Sequence, residues 1–241
     1  MISFLPKQIA NKAVVIYLGC LAAVSVLFMS HAMSLTYIVM GVVWVTGFFL
    51  LASQYSQRWK SIPSKRFVTS LVIASLILRL VWVVFSYFFY LYQTGQPFEF
   101  DAADSVGYWE DCVWLSTEKW PVVIEYLFVS NPVSDAGYRL YLTALYKVIG
   151  PSIIVTRIIK TIWSTATVIL IYKISQRNIG EEGGRLAAIM ACFMPNLIIY
   201  CGLHVKETEM LFLMVAYLER ADYLLRSKDT MYGPSFCQRF F

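Results

Sequence analysis

Residues 67–92 read FVTSLVIASLILRLVWVVFSYFFYLY, and Arg79 is the one charged side chain in that run. About 20 apolar residues in helix cross a bilayer core. A helix satisfies its own backbone donors and acceptors while its side chains face lipid, so a run this long is best explained as a span. Similar runs recur at 13–30, 35–52, 152–173, 185–202 and 208–225. They are continuous rather than alternating, which argues against a β-barrel. Hydrophobic residues make up 59% of the 241, more apolar surface than one aqueous globule hides. The chain is therefore expected to be an all-α, polytopic membrane protein with about six transmembrane helices.

Charge sets the expected orientation. The segment 53–66, SQYSQRWKSIPSKR, carries Arg58, Lys60, Lys65 and Arg66 and no acid, which marks it as cytoplasmic together with Lys7 and Lys12. Residues 93–135 then fall on the opposite side. They hold eight of the fifteen acidic residues and only one base, Lys119. The stretch 137–150, GYRLYLTALYKVIG, is helical in pattern but short, with Arg139 and Lys147. If it crossed, Lys173, Arg177 and Arg185 would move to the acidic side. It is expected to lie flat as an interfacial helix inside an external loop, 93–151, with Pro151 opening the next span. The organisation that follows is 1–66, two spans and a basic cytoplasmic loop; 67–225, a membrane core; and 226–241, an irregular tail. Both termini are expected to be cytoplasmic.

Other classes are disfavoured. The N-terminal pattern, with Lys7 and Lys12 before an apolar run and Ser30-His31-Ala32 after it, imitates a secretory leader. A second span follows at once, which favours an uncleaved anchor. Basic residues are scattered between spans rather than gathered on a stripe, so no nucleic-acid partner is expected. The five cysteines show no CxxC or Cys/His spacing, and neither a disulfide framework nor a cysteine metal site is expected.

The stretch FEFDAADSVGYWED, 98–111, crowds Glu99, Asp101, Asp104, Glu110 and Asp111 among aromatics. Asp101 and Asp104 share a face if the stretch is helical. Such carboxylates serve as general bases or cation ligands; a solvated loop is the alternative. Tyr108, Trp109 and Trp114 also suit an interfacial aromatic belt. Arg157 and Lys160 lie one turn apart in the first half of a span. They suit either an anionic phosphate near the outer leaflet or snorkelling toward headgroups. Arg79 lies deeper and calls for a partner on another helix. The turn 203–207, LHVKE, brings His204, Lys206 and Glu207 to the same face as the acidic loop, with Glu209 just beyond. Glu181 and Glu182 read as solvated residues of a cytoplasmic turn.

These stretches resemble the polytopic C-type (GT-C fold) glycosyltransferases, near the protein O-mannosyltransferase and aminoarabinose-transferase branch. Asp104-Ser105-Val106-Gly107-Tyr108 matches the Asp and the Tyr of that branch's acidic motif in the first large external loop. Ser105 stands where a second acid is usual, and Asp101 is the substitute. NPVSDAGYRLYLTALYKVIGPSIIVTRIIK, 131–160, resembles the family's proline-led interfacial helix and arginine-bearing span, with Pro132 alone in place of a double proline. MPNLIIYCGLHVKETEM, 194–210, resembles a run in bacterial members and places Lys206 and Glu207 at the outer turn. The resemblance covers 67–225. The family usually has more spans and a substantial C-terminal part, so a partial or truncated member is expected.

The resemblance implies transfer of a hexosyl or pentosyl group from a polyprenyl-phosphate donor at the extracytoplasmic face of a bacterial inner membrane. The acceptor is not specified. Asp104 with Asp101 would be the catalytic base, and Glu207 a catalytic or acceptor-orienting acid. Tyr108, Arg139, Arg157, Lys160, His204 and Lys206 would bind substrate. No cofactor is demanded; a divalent cation, Mg or Mn, would fall to Asp101, Asp104 and Glu207. The partners are the bilayer and the lipid-linked sugar. The rival readings are a transporter lined by Arg79 and Arg157, and a non-catalytic subunit or remnant that binds lipid-linked sugar. The orientation is directly testable. Cysteines introduced as Asp104→Cys and Glu207→Cys are expected to react with an impermeant maleimide in intact cells, and Lys60→Cys only after permeabilisation.

Overall fold

The structure, a computed structural model, describes residues 4–28, 35–100, 102–130 and 134–226. Its elements are α1 (Lys7–Leu27), α2 (Leu35–Trp59), α3 (Ser64–Thr94), α4 (Ala103–Thr117), α5 (Trp120–Glu125), a π-helical turn (Tyr126–Ser130), α6 (Ala136–Ile149), α7 (Ile153–Phe193), α8 (Pro195–Ile199), a 3-10 turn (Tyr200–Gly202) and α9 (Glu207–Arg226). The described residues contain no strand. The all-α expectation holds.

Among the described residues, four helices are long and apolar enough to cross a membrane: α1, the part of α2 from Ile38, α3 and α7. α7 has 41 residues, which at about 1.5 Å per residue is roughly twice a hydrocarbon core. It is broken at Gly180, where φ is 81° and ψ 174°, a conformation that glycine alone adopts readily. The stretch expected as one span at 185–202 is likewise interrupted. α7 stops at Phe193, and Pro195 starts the short α8, because proline has no N–H with which to continue the ladder. α9 covers the stretch expected at 208–225, but it carries Glu207, Glu209, Glu219, Arg220, Asp222 and Arg226 and is not among the four.

The segment 93–135 is largely helical rather than a loop. Its α4 packs against α6, which follows the segment. Tyr108, Cys112 and Leu115 make a stripe on α4, and Tyr138, Leu142 and Tyr146 make one on α6, each at the three-to-four-residue spacing of a helix face. Tyr108, Cys112, Tyr138, Leu142 and Tyr146 form one cluster. The Tyr108 and Tyr138 rings meet edge to face at 5.0 Å. α6 matches the helix expected over 137–150 to within a residue and ends at Gly150, whose φ is 80°. A positive φ of this kind is open chiefly to glycine, which is why the helix stops there.

The chain forms two compact units. The first comprises Met1–Ser75, Thr165–Leu197 and Leu211–Phe241. In it α1 packs along α2, and Leu5 is pinned by two serines of α2. Ser53 Oγ donates to the Leu5 carbonyl at 2.9 Å, and Leu5 N–H donates to Ser56 Oγ at 3.0 Å. Arg185 donates to the carbonyls of Trp59 (2.9 Å) and Ile62 (2.7 Å) and to Glu181 (2.7 Å). Glu181 also accepts from Ser64 at 2.8 Å and Tyr172 at 2.8 Å. Glu181 is thus the hub of a polar knot and not the solvated residue expected; a buried Arg185 one turn along demands a counter-charge. Glu182 is exposed.

The second unit comprises Leu76–Ser164 and Ile198–Met210. Here Arg79, fully buried, has the partner the sequence could not name: its Nε donates to Ser164 Oγ on α7 at 2.7 Å. Trp82 Nε1 donates to the Ile199 carbonyl at 3.2 Å. That close approach of α3 depends on Gly202, where a Cβ would lie 2.7 Å from Trp82 Nε1 and collide with Ser86 Oγ.

Two substitutions test this packing. Leu142→Ala is expected to cost about 2–5 kcal/mol and Gly202→Ala about 1–3 kcal/mol. Val148→Ala, at a position 83% exposed, is expected to change stability by less than about 0.5 kcal/mol. Thermal unfolding in detergent gives the order.

Candidate functional site

The second unit holds nearly every charged residue singled out in the sequence. Its outer layer starts at α4. Asp104 lies in the first turn, where a carboxylate complements the helix dipole. The register that turns Ser105, Tyr108 and Cys112 inward leaves Asp104 exposed. One turn on, the Tyr108 hydroxyl donates to Asp135 Oδ2 at 2.8 Å. The Lys206 ammonium meets the same oxygen at 2.5 Å. Lys206 and the Tyr108 hydroxyl hold the Asp135 carboxyl below its usual range. Burial, and then Asp135, push the Tyr108 phenol up to about 12. Asp135 in turn raises Lys206, so Lys206 stays charged at any working pH. Asp135 occupies the left-handed region, φ 63°, which a short polar side chain tolerates better than most.

Arg139 belongs to this layer but turns elsewhere. Its Nε pairs with Asp111 at 2.8 Å, and its guanidinium lies 4.9 Å from the centre of the Tyr108 ring. It also donates to the Ser134 carbonyl. These contacts fasten α6 to α4.

The inner layer is built on α7 and the turn 203–206. Lys160 is fully buried. Its ammonium donates to the Leu203 carbonyl at 3.0 Å and to the Val205 carbonyl, and lies 3.7 Å from Glu209 Oε2. Its donors are thus committed to holding the turn. Arg157, also fully buried, donates through Nη2 to the Pro97 carbonyl at 2.6 Å, while Nε and Nη1 have no hydrogen-bond partner. Glu99 is the principal opposite charge acting on it. The Ser105 hydroxyl donates to Glu99 Oε1, and the other oxygen is buried without a partner.

His204 sits at the centre. It is fully buried, with Nε2 3.1 Å from the Tyr146 hydroxyl and Nδ1 unpartnered. The rings of Trp109 (6.1 Å) and Phe98 (6.3 Å) meet it edge-on, and the Tyr146 ring (6.5 Å) is stacked. Burial, and then the nearby Lys160 and Arg157 charges, depress its pKa to about 3. Glu207 opens α9 with Oε2 buried and unpartnered.

The structure therefore gathers Tyr108, Arg157, Lys160, His204, Lys206 and Glu207 in one unit, with Asp104 at its exposed edge and Arg139 turned to Asp111. Asp101 lies outside the described residues. Sequence reasoning passed over three participants, Glu99, Asp135 and Glu209. Glu99 was visible in the acidic run, and Asp135 immediately precedes a helix, but the cations they face, Arg157 and Lys206, lie far along the chain. Among the described residues no group of three or more His, Cys, Asp or Glu side chains is placed to hold a metal ion. Of the three expected cation ligands, Asp104 and Glu207 are among the described residues and Asp101 is not. Comparison with protein-family models, curated proteins and solved structures returned no match to this chain.

The state of His204 has a measurable consequence. An unfolded histidine binds a proton below about 6.5, whereas the folded one does so only near 3. Between these values the unfolded chain holds the extra proton, so stability falls as pH falls, by up to about 1.4 kcal/mol per pH unit. The neutral substitution His204→Gln is expected to flatten the decline of melting temperature between about pH 6.5 and pH 4. An unchanged slope would assign the acid sensitivity to other groups.

Proposed function

We propose that this chain is a membrane glycosyltransferase that moves a sugar from a polyprenyl-phosphate donor to a hydroxyl-bearing acceptor. On this reading the site faces the extracytoplasmic side of a bacterial inner membrane, and both termini are cytoplasmic. The observation that carries it is the chain Tyr108–Asp135–Lys206, which joins the acid-bearing start of α4 to the turn that resembles the family's second outer motif. Six crossings fit the helices if the part of α7 beyond Gly180 continues through α8 as the fifth and α9 is the sixth. α9 supports this with an exposed stripe of Met210, Leu213, Met214, Tyr217 and Leu218, at helical spacing and suited to lipid.

The chemistry follows from the residues. The Asp104 carboxylate accepts the proton of the acceptor hydroxyl. The acceptor oxygen bonds to the anomeric carbon as the bond from that carbon to the phosphate oxygen breaks. The electron pair remains on the phosphate, and polyprenyl phosphate leaves. Lys206, held in place by Asp135, faces the negative charge that grows there. Asp104 is exposed, as a group must be if it is to meet an acceptor arriving from solution.

The test is transfer in proteoliposomes by the full chain, supplied with polyprenyl-phosphate hexoses and pentoses. Asp104→Asn at equal expression is expected to lower the rate about 10²–10⁴-fold. Near-normal transfer would remove Asp104 from the chemistry. Uptake of solute without transfer would favour a transporter.

A further inference from the structure

The first acid in the chain is Glu99, yet residues 1–66 carry Lys7, Lys12, Arg58, Lys60, Lys65 and Arg66. Two of these cations meet in the first unit. α1 and α2 run antiparallel. Leu5 is bonded to Ser53 and Ser56, and the Tyr17 hydroxyl stands 2.9 Å from where a Cβ on Gly41 would lie. That register brings Lys7, the first residue of α1, to the last turn of α2, which holds Arg58. The two helices line a pocket of about 560 Å³, a volume usual for a bound small molecule. Lys7, Asn11, Gln54, Gln57 and Arg58 form its polar wall, and Ala10 and Leu50 its apolar one.

The lining selects the ligand. Its only charges are positive. Among the described residues neither Lys7 nor Arg58 forms an ion pair. α1 starts here without a side-chain cap, so the positive end of its dipole adds to the two cations. The three amides offer further donors. An anion with several oxygens fits this set, and a metal cation is repelled by it. No aromatic ring lines the pocket, so a nucleotide base has nothing to stack on. Position selects the source. α1 and the part of α2 from Ile38 are apolar enough to cross a membrane, and the pocket sits at one end of both, which is headgroup level. Leu50 lies two turns further in and is half exposed, and Val15, Ile16 and Val43 continue an exposed apolar surface beyond it. The positive-inside preference accounts for bases near span ends, but not for two of them converging with three amides on one pocket. Basic pockets between spans suit anionic lipid heads. We infer that the α1–α2 pocket holds the headgroup of an anionic phospholipid, its phosphodiester between Lys7 and Arg58 and its acyl chains along Leu50. The leaflet is the one expected to be cytoplasmic, and the site is independent of the proposed transfer reaction.

The experiment is lipid binding to the full chain in neutral detergent, read by native mass spectrometry. The probes are a phosphatidylglycerol, a phosphatidylcholine with the same acyl chains, and soluble glycerol 3-phosphate. The first phosphatidylglycerol is expected to bind at least about tenfold more tightly than phosphatidylcholine, and glycerol 3-phosphate is not expected to displace it. Lys7→Gln combined with Arg58→Gln is expected to reduce that preference to within about twofold. Both side chains are exposed, so the melting temperature without lipid is expected to stay unchanged; each single substitution gives a partial loss that keeps the test open if the pair fails to fold. Lys12→Gln combined with Lys65→Gln removes the same charge outside the pocket and is expected to keep the preference. Equal binding of the two lipids, or a preference that survives loss of Lys7 and Arg58, would overturn the site. An equal loss in the Lys12 and Lys65 pair would reduce it to general surface charge. Displacement by glycerol 3-phosphate would overturn the lipid in favour of a soluble phosphate ester.

Discussion

An ammonium group shut away from water must place its N–H groups on acceptors, and Lys160 places two of them on the backbone of one turn. The carbonyls of Leu203 and Val205 converge on it, with Glu209 supplying the counter-charge at 3.7 Å. Removing either side of such an arrangement strands a buried charge, which is far more costly than never having built it. The residue between those carbonyls is His204 and the one after them is Lys206. Lys160 thereby fixes the residue that fills the aromatic cage and the residue that pairs with Asp135. The contact from Asp135 to the Tyr108 hydroxyl carries the constraint on to α4. Much of the second unit hangs on one buried cation.

That dependence explains what was legible in the sequence. The helical class followed from apolar runs whose period and length need no partner to be recognised. The bounds of α6 were readable because Gly150 ends it and a period of three to four residues runs from Tyr138 to Tyr146. The break at Gly180 falls inside the turn expected between the runs 152–173 and 185–202, where Gly180, Gly183 and Gly184 weaken the helix. Glu181 looked solvated because its partners Ser64, Tyr172 and Arg185 include one far away along the chain.

The site was legible in part, and the division is instructive. Residue types that are costly to bury, Arg157 and Lys160, were found because their cost is a property of the residue. What they touch was not found. Lys160 reads in isolation as an anion ligand, yet its donors go to carbonyls that only the fold delivers. The acidic motif raised the opposite difficulty, too many candidates in one short run. Side-chain direction separates them. Asp104 faces out, Asp111 serves Arg139, and Glu99 turns in to Ser105, the position at which the resemblance lacked its usual second acid.

The two layers differ in what they offer a charged group. Lys206 at the rim is charged, and its carboxylate partner is shared with a phenol, so an incoming anion competes with one acceptor only. Arg157 inside is fully buried and opposed by Glu99, so an anion there would lose its hydration and gain little. On the proposed reading the donor phosphate therefore stops at Lys206, at the rim. Asp104, exposed in the first turn of α4, is then the carboxylate open to an acceptor arriving from solution.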